Sequence, residues 1–542
     1  MSATPKSVPS AGPSAPSRSW PHLFKQALRD HPSDFDVSSL LIRLVILIVA
    51  SFAMLIVGTK INSDSLAVTR YMASSQAPIG AELYPLAARE QITVLMYDTQ
   101  FLNEQKSAWP LSYMDHGDWL ERIATNPAGR PKAIFLDITF GQQRNDRSLP
   151  SLIQTLCRIR GEYGVPIFLA ALPSPVDGQL KTRPEIQAAT LPDATPCVSL
   201  VGVRYTPDPI DRHAWNYPLS THLAGKQWNP GPASDPASFR SAAMAIAQDV
   251  AGIDLGVETE PMALIWAAGR PGIQQEIDKP DLLSYCQAST FSGTRLIPDL
   301  LRQLWEDSDE IPPPCPIHQT LSMIQTETMS EEALAPYLVD RYVMVGAAVA
   351  GYNDLVNSPV HGLIPGVYLH AMALDNLLTY GDQYKQNSAW YPFPPAGLIG
   401  AGLLTIFIVF AIHIATRALR ERLSIRLRVF LSRHARLAAK VQWLTDDAAI
   451  DPAASPRQIA SAAGSRLLKG ALQLFAWMLR LSIQAGLALL LISALQMCFR
   501  IGMLPVVELL GMTLFIEAFD YLKKIRLFLW PGTDNVPGIH KP

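Results

Sequence analysis

Ile92–Tyr97 reads ITVLMY and is closed by Asp98. A run this short, apolar on both sides and ended by a carboxylate, is the pattern of a strand buried within a parallel sheet. The pattern recurs along the chain. Ala133–Leu136 (AIFL) ends at Asp137, and Pro166–Ala171 (PIFLAA) follows a helical stretch at Leu149–Tyr163. Ser199–Arg204, Met262–Trp266 and Tyr342–Val345 read as further buried strands. Met114–Ala124 is helical, and Asp235-Pro236 has the form of an N-cap and first position for a helix stopping near Gly252. A last helix runs from Gly366 to Thr379. Helices between buried strands predict an α/β fold, a mostly parallel sheet with helices on both faces.

Around this segment the composition turns membrane-like. Of 542 residues only 17% are charged and 49% are hydrophobic, against about 25% charged in an ordinary soluble domain. That balance excludes a disordered chain, a coiled coil and a small disulfide scaffold, and argues against a cytosolic enzyme. Net charge is segregated: +2 over residues 1–58, −13 over 59–416 and +9 over 417–542. Four apolar runs predict transmembrane helices at 40–58, 396–415, 481–499 and 503–521. The last is the weakest, since Glu508 and Glu517 interrupt it. Eleven basic against four acidic residues at 417–470, and Lys523, Lys524 and Arg526 after the last run, belong in the cytoplasm. The expected order is a disordered cytoplasmic tail (1–39), an uncleaved signal anchor, an external domain at 59–395, a second helix, a basic cytoplasmic loop (416–480), a helical pair and a cytoplasmic tail (522–542). This order makes the chain a multi-pass membrane protein with residues 59–395 outside the cytoplasm and both termini inside.

The external segment resembles the type 2 CHASE domain, an extracytoplasmic sensory module of bacterial membrane receptors. The stretches that carry the resemblance are ITVLMYDTQFL, WPLSYMDHGDWLERI, KAIFLDITF, VGVRYTPDPIDRHAWNYPL and YVMVGAAVAGYNDLVNSPVHGLIPGVYLHAMALDNLL. The last is the most specific, with Asp354, Ser358-Pro359, Pro365-Gly366-Val367 and His370-Ala371. It spans roughly residues 75–382, with an insertion around 286–315. The resemblance also implies one transmembrane helix before the domain and about three after it. Receptors of this kind often continue into a kinase or cyclase domain. Here no phosphate-cradling loop, kinase motif set or cyclase signature occurs. His434, in FLSRHARLAAK, reads as part of a solvated basic helix face.

Asp98 and Asp137 close two strands expected to be sheet neighbours, and Asp354 follows a third. Ligands of open parallel sheets bind beyond the carboxyl ends of the strands, so three carboxylates there are candidate ligands for a cation or a polar molecule. The alternative is that they cap turns by accepting backbone N–H bonds. His370 is expected in the first turn of its helix as a packed histidine satisfied by a backbone group. Cys286–Cys315 and Cys157–Cys197 are candidate disulfides in an oxidising compartment, against four ordinary buried thiols; Cys498 is expected to be free. No zinc signature or nucleophile elbow occurs, and no cofactor is implied.

The function expected is a non-enzymatic sensor or receptor subunit that relays an envelope signal to a separate cytoplasmic effector. The alternative is a structural or assembly component that docks through its external domain to an envelope complex. Expected partners are membrane lipid, a second copy or a larger membrane complex, and an effector or envelope protein in trans, with no nucleic acid. The stretch Arg417–Lys440, with eight basic residues and one acidic, either lies along the anionic inner leaflet or only fixes orientation. Gly397, Gly400, Ala401 and Gly402 permit close helix contact in a dimerising relay.

Overall fold

The computed structural model describes residues 84–224, 227–230, 238–256, 261–269, 286, 313–349, 351 and 354–386, with Ser74, Ala77, Pro78, Gly80 and Ala81 before them. All fall in one unit of the chain, Ser63–Gly511. Among them no helix is long and apolar enough to cross a membrane. The four apolar runs, the basic loop, both tails and Cys498 lie outside the described residues.

The main sheet takes β1 (Ile92–Asp98), β2 (Ala133–Leu136), β3 (Ile167–Pro173), β4 (Leu180–Lys181), β5 (Ser199–Gly202), β11 (Gln319–Ser322) and β12 (Tyr342–Ala348). Its order is β11-β1-β12-β2-β3-β5, every neighbouring pair parallel, with β4 antiparallel on the end of β3. The expected α/β class and mostly parallel sheet are therefore present. All seven residues of β1 are buried, as a strand covered on both faces requires. The expected adjacency of β1 and β2 is not found. β12 lies between them, pairing Leu95 with Val345 on one side and Leu136 with Val345 on the other. A strand that begins only at Tyr342 leaves no mark in the pattern of the two it separates.

The period-2 alternation of the strands builds two cores. Val94 and Met96 of β1, Phe135, Phe168, Ala170 and Met344 face one core; Leu95, Tyr97, Ile134, Leu136, Leu169 and Val345 face the other. The second core is covered by α1 (Thr99–Gln105), α2 (Tyr113–Ala124), α3 (Leu149–Gly161) and α5 (Glu331–Leu338). The first is covered by α4 (Ala242–Asp249) and α6 (Val367–Tyr380). α2 begins in a capping box: Ser112 Oγ accepts from Asp115 N, and the Asp115 carboxylate accepts from Ser112 N. α6 is buried from Val367 through Leu377, and its apolar residues leave no solvated stripe, as a helix enclosed by core requires. Gly346 of β12 permits its close approach, since a Cβ there would stand 2.6 Å from Val367 Cβ.

Smaller elements decorate the first face. β6 (Asn216–Tyr217) pairs with β10 (Met262–Ala263); β7 (Ser220–Ala224) lies between β8 (Gln227–Pro230) and β9 (Ser238–Arg240); and β13 (Leu355–Ser358) forms a hairpin with β14 (Gly362–Pro365). The 262–266 strand is thus two residues of a side ribbon and not part of the main sheet. The helix expected from Asp235 begins later, at Ala242 with Ser241 as its cap; Asp235 and Pro236 lie outside the described residues. Two disulfides close the unit. Cys157 of α3 bonds to Cys197 ahead of β5, and Cys286 to Cys315 in the first core. With sequence separations of 40 and 29, such links typically stabilise by about 2–4 kcal/mol each.

Candidate functional site

The three candidate carboxylates do not act together. Asp98 is fully buried; its Oδ1 accepts from Phe101 N at 2.9 Å, capping α1, and from Ser322 Oγ at 2.8 Å, tying β1 to β11. Those bonds make Asp98 a joint of the sheet. Asp137 and Asp354 instead share the carboxyl edge of β2 and β12. Asp137 N donates to Val345 O at 2.8 Å, which locks the residue against β12. The Asp354 carboxylate lies against Gly366, where a Cβ would meet its Oδ2 at 2.7 Å, and its carbonyl accepts from Gly366 N at 2.7 Å. Gly366 here serves close approach, at the start of α6.

His370, one turn into α6, completes the group. Its Nδ1 is 2.8 Å from Tyr217 Oη, which accepts from Ala243 N at 3.3 Å. With Tyr217 donating to Nδ1, the neutral ring carries its proton on Nε2. Nε2 points toward Asp137 Oδ1 across 3.9 Å, too long for a direct hydrogen bond. The His370 partner is thus a tyrosine hydroxyl and not the expected backbone group. Burial lowers the imidazole to about 3, so the ring is neutral. Burial, and then the nearby Asp354 charge, push the Asp137 carboxyl well above its ordinary range; desolvation also raises Asp354. Tyr205 beside them is raised by burial and by Asp354. The edge brings together a neutral imidazole, a carboxyl whose protonated form burial favours, a second carboxyl and a phenol, with 3.9 Å between His370 Nε2 and Asp137 Oδ1. Among the described residues no group of three or more His, Cys, Asp or Glu side chains is arranged to hold a metal ion.

The far half of α6 carries the opposite arrangement. Asp375, fully buried, accepts from Tyr84 Oη at 2.7 Å and Thr379 Oγ1 at 3.2 Å, and its Oδ2 is 3.0 Å from His318 Nε2. Tyr84 also lies edge-on to Tyr380, 6.0 Å between ring centres. Tyr84 stands on the segment leading into β1, His318 on the segment leading into β11, and Thr379 and Tyr380 on the end of α6. One carboxylate therefore ties together the incoming and outgoing ends of the domain.

Sequence reading missed Tyr217, Tyr205, His318, Tyr84 and Asp375 as functional residues. Tyr205, Tyr217 and Asp375 sit in stretches that carry the resemblance, but nothing in their spacing marks them, because the contacts that join Tyr217 to His370 and Asp375 to Tyr84 span 153 and 291 residues.

No curated protein and no solved structure matches the chain. The family model described as CHASE2 domain matches residues 45–412. That match takes in every described element, from the strand ends that carry Asp98 and Asp137 to the helix that carries His370 and Asp375. The chain belongs to the CHASE2 domain family, a family of extracytoplasmic sensory domains.

Proposed function

We propose that this protein is a non-catalytic membrane receptor subunit whose external domain receives an envelope signal at the Asp137–Asp354–His370 edge and passes it through α6 to the membrane. One observation carries the reading. A single helix, 14 residues and about 21 Å long, holds His370 of the receiving edge in its first turns and the Asp375 joint in its last ones. A ligand that closes the gap between His370 and Asp137, or that draws the proton from Asp137, changes the seat of the helix at one end. The other end grips Tyr84 and stands 16 residues ahead of the apolar run beginning at Ala396.

The four apolar runs and the basic loop support a multi-pass inner-membrane protein with residues 59–395 outside and both termini inside. The family match begins inside the first run and ends inside the second, as it does for a domain held between two membrane helices. The output then goes to a separate cytoplasmic effector by a change in helix packing, and the loop at 416–480 is its docking surface. The test is a pull-down of the detergent-solubilised full chain. A kinase or cyclase that co-purifies, and is lost when residues 417–440 are replaced by a neutral sequence, supports the reading. Recovery of envelope assembly proteins alone, through the external domain, replaces it with the structural role.

A further inference from the structure

The other face of the sheet holds a polar cluster that this reading does not use. Tyr97 of β1 and Tyr113 and His116 of α2 are 0%, 1% and 0% exposed. Neither phenol oxygen and neither ring nitrogen of His116 meets a hydrogen-bond partner from the protein. The three belong to one group of rings. His116 lies edge-on to Tyr97 at 5.5 Å and to Phe140 at 5.3 Å; Tyr113 is 5.7 Å from Phe140, and Trp109 is 5.9 Å from Tyr97 and 6.1 Å from His116. Arg144 pins the neighbouring segment: its Nη2 donates to the carbonyls of Pro110 and Leu111 at 3.0 and 2.6 Å, and its guanidinium stands 5.1 Å from the Tyr113 ring.

Buried polar atoms in native folds have partners, and each one left without loses its hydration for nothing in return. Four in one cluster ask for a partner from outside the chain. The chemistry of that partner follows from the walls. Burial and the Arg144 charge hold His116 down to about 4, so the ring is neutral and offers one donor and one acceptor. Each tyrosine offers both as well. Around them stand flat aromatic faces, which suit another ring and give a mostly apolar site with a few polar groups its usual form.

We propose that Tyr97, Tyr113 and His116 form a second binding site, for a small uncharged aromatic molecule bearing a hydroxyl group, held against Trp109 and Phe140. This goes beyond the carboxyl-edge reading and does not depend on it. The test uses the full chain in detergent with phenol as the probe and benzene as its apolar twin, reading the thermal unfolding midpoint. Phenol is expected to raise the midpoint with saturation, and benzene to need a concentration roughly tenfold higher or more, the worth of one lost hydrogen bond. Tyr113→Phe, which keeps the ring, is expected to weaken the phenol response roughly tenfold, and His116→Phe to abolish it. Asp137→Asn leaves it intact, so failure here and failure at the carboxyl edge are distinguishable. Should His116→Phe not fold, Tyr113→Phe decides alone. Three outcomes overturn the proposal: no phenol response in the wild type, which leaves ordered water as the partner; equal responses to phenol and benzene; or a wild-type response in the variants.

Discussion

The two ends of α6 solve the same problem in opposite ways. Around Asp375 each carboxylate oxygen has a partner within 3.0 Å, and Tyr84, Thr379 and His318 converge on it from three parts of the chain. Around His370 the contact to Asp137 stretches to 3.9 Å, and Asp137 is raised by burial and then by the Asp354 charge, while desolvation raises Asp354. A buried polar network repays its desolvation only when its members are satisfied. The Asp375 end therefore contributes to stability, while the His370 end is held in place at a cost by the rest of the fold. Such unrelieved polarity is characteristic of sites that await a ligand or a proton.

Three substitutions sharpen or break this contrast. The largest effect is expected from Asp375→Ala, which strips Tyr84, Thr379 and His318 of their common acceptor in the core. Denaturant unfolding of the full chain should show a loss of about 3 kcal/mol, as for leaving several buried polar groups without their acceptor. A loss under about 1 kcal/mol would mean that the joint is not what holds the two ends of the domain together. Next is Gly346→Ala. Its new methyl would meet Val367 at 2.6 Å and push the start of α6 off β12, at about 1–3 kcal/mol for an overpacked core. A shift in the environment of His370, read by NMR, should accompany it; unchanged His370 signals would detach the helix seat from the edge.

The smallest effect is expected from Asp137→Asn, and its sign is opposite. The carboxyl of Asp137 is raised in the fold above its ordinary 3.8. Its contribution is fully present below that ordinary value and is lost as pH rises through the raised one. The amide mimics the protonated acid, so the variant should match the wild type in strong acid and exceed it at about pH 7. His370 works the other way. Its imidazole falls from 6.5 to about 3, so the stability it confers is present above 6.5 and is lost as pH falls through that window. Thermal midpoints across pH for both proteins check this; an Asn variant less stable at neutral pH would show Asp137 to be a charged structural partner.

Much of this was legible in local pattern. ITVLMY and AIFL are buried on both sides and lie in parallel strands, and the helix after Gly366 runs almost as expected. β11 was not legible, because QTLS mixes polar and apolar residues. It pairs on one side only, with β1, and two of its four residues are not fully buried, so its sequence carries no continuous apolar run. The disulfide pairings stood as candidates only, since spacing cannot exclude free thiols; proximity in the fold joins Cys157 to Cys197 and Cys286 to Cys315.

What the chain determined by itself was the class of its elements, the burial of its strands on both faces, and the apolar runs and charge bias that point to a membrane. Those properties reside in the period of side chains along a few consecutive residues, where strand, helix and solvent each leave a separate signature. Only the tertiary structure decided that β12 separates β1 from β2, that Asp98 joins strands while Asp137 lies within reach of the Asp354 charge, and that Tyr84 meets Asp375. Those outcomes depend on which strand slides between two others and on contacts spanning up to 291 residues, and local periodicity holds no information about either.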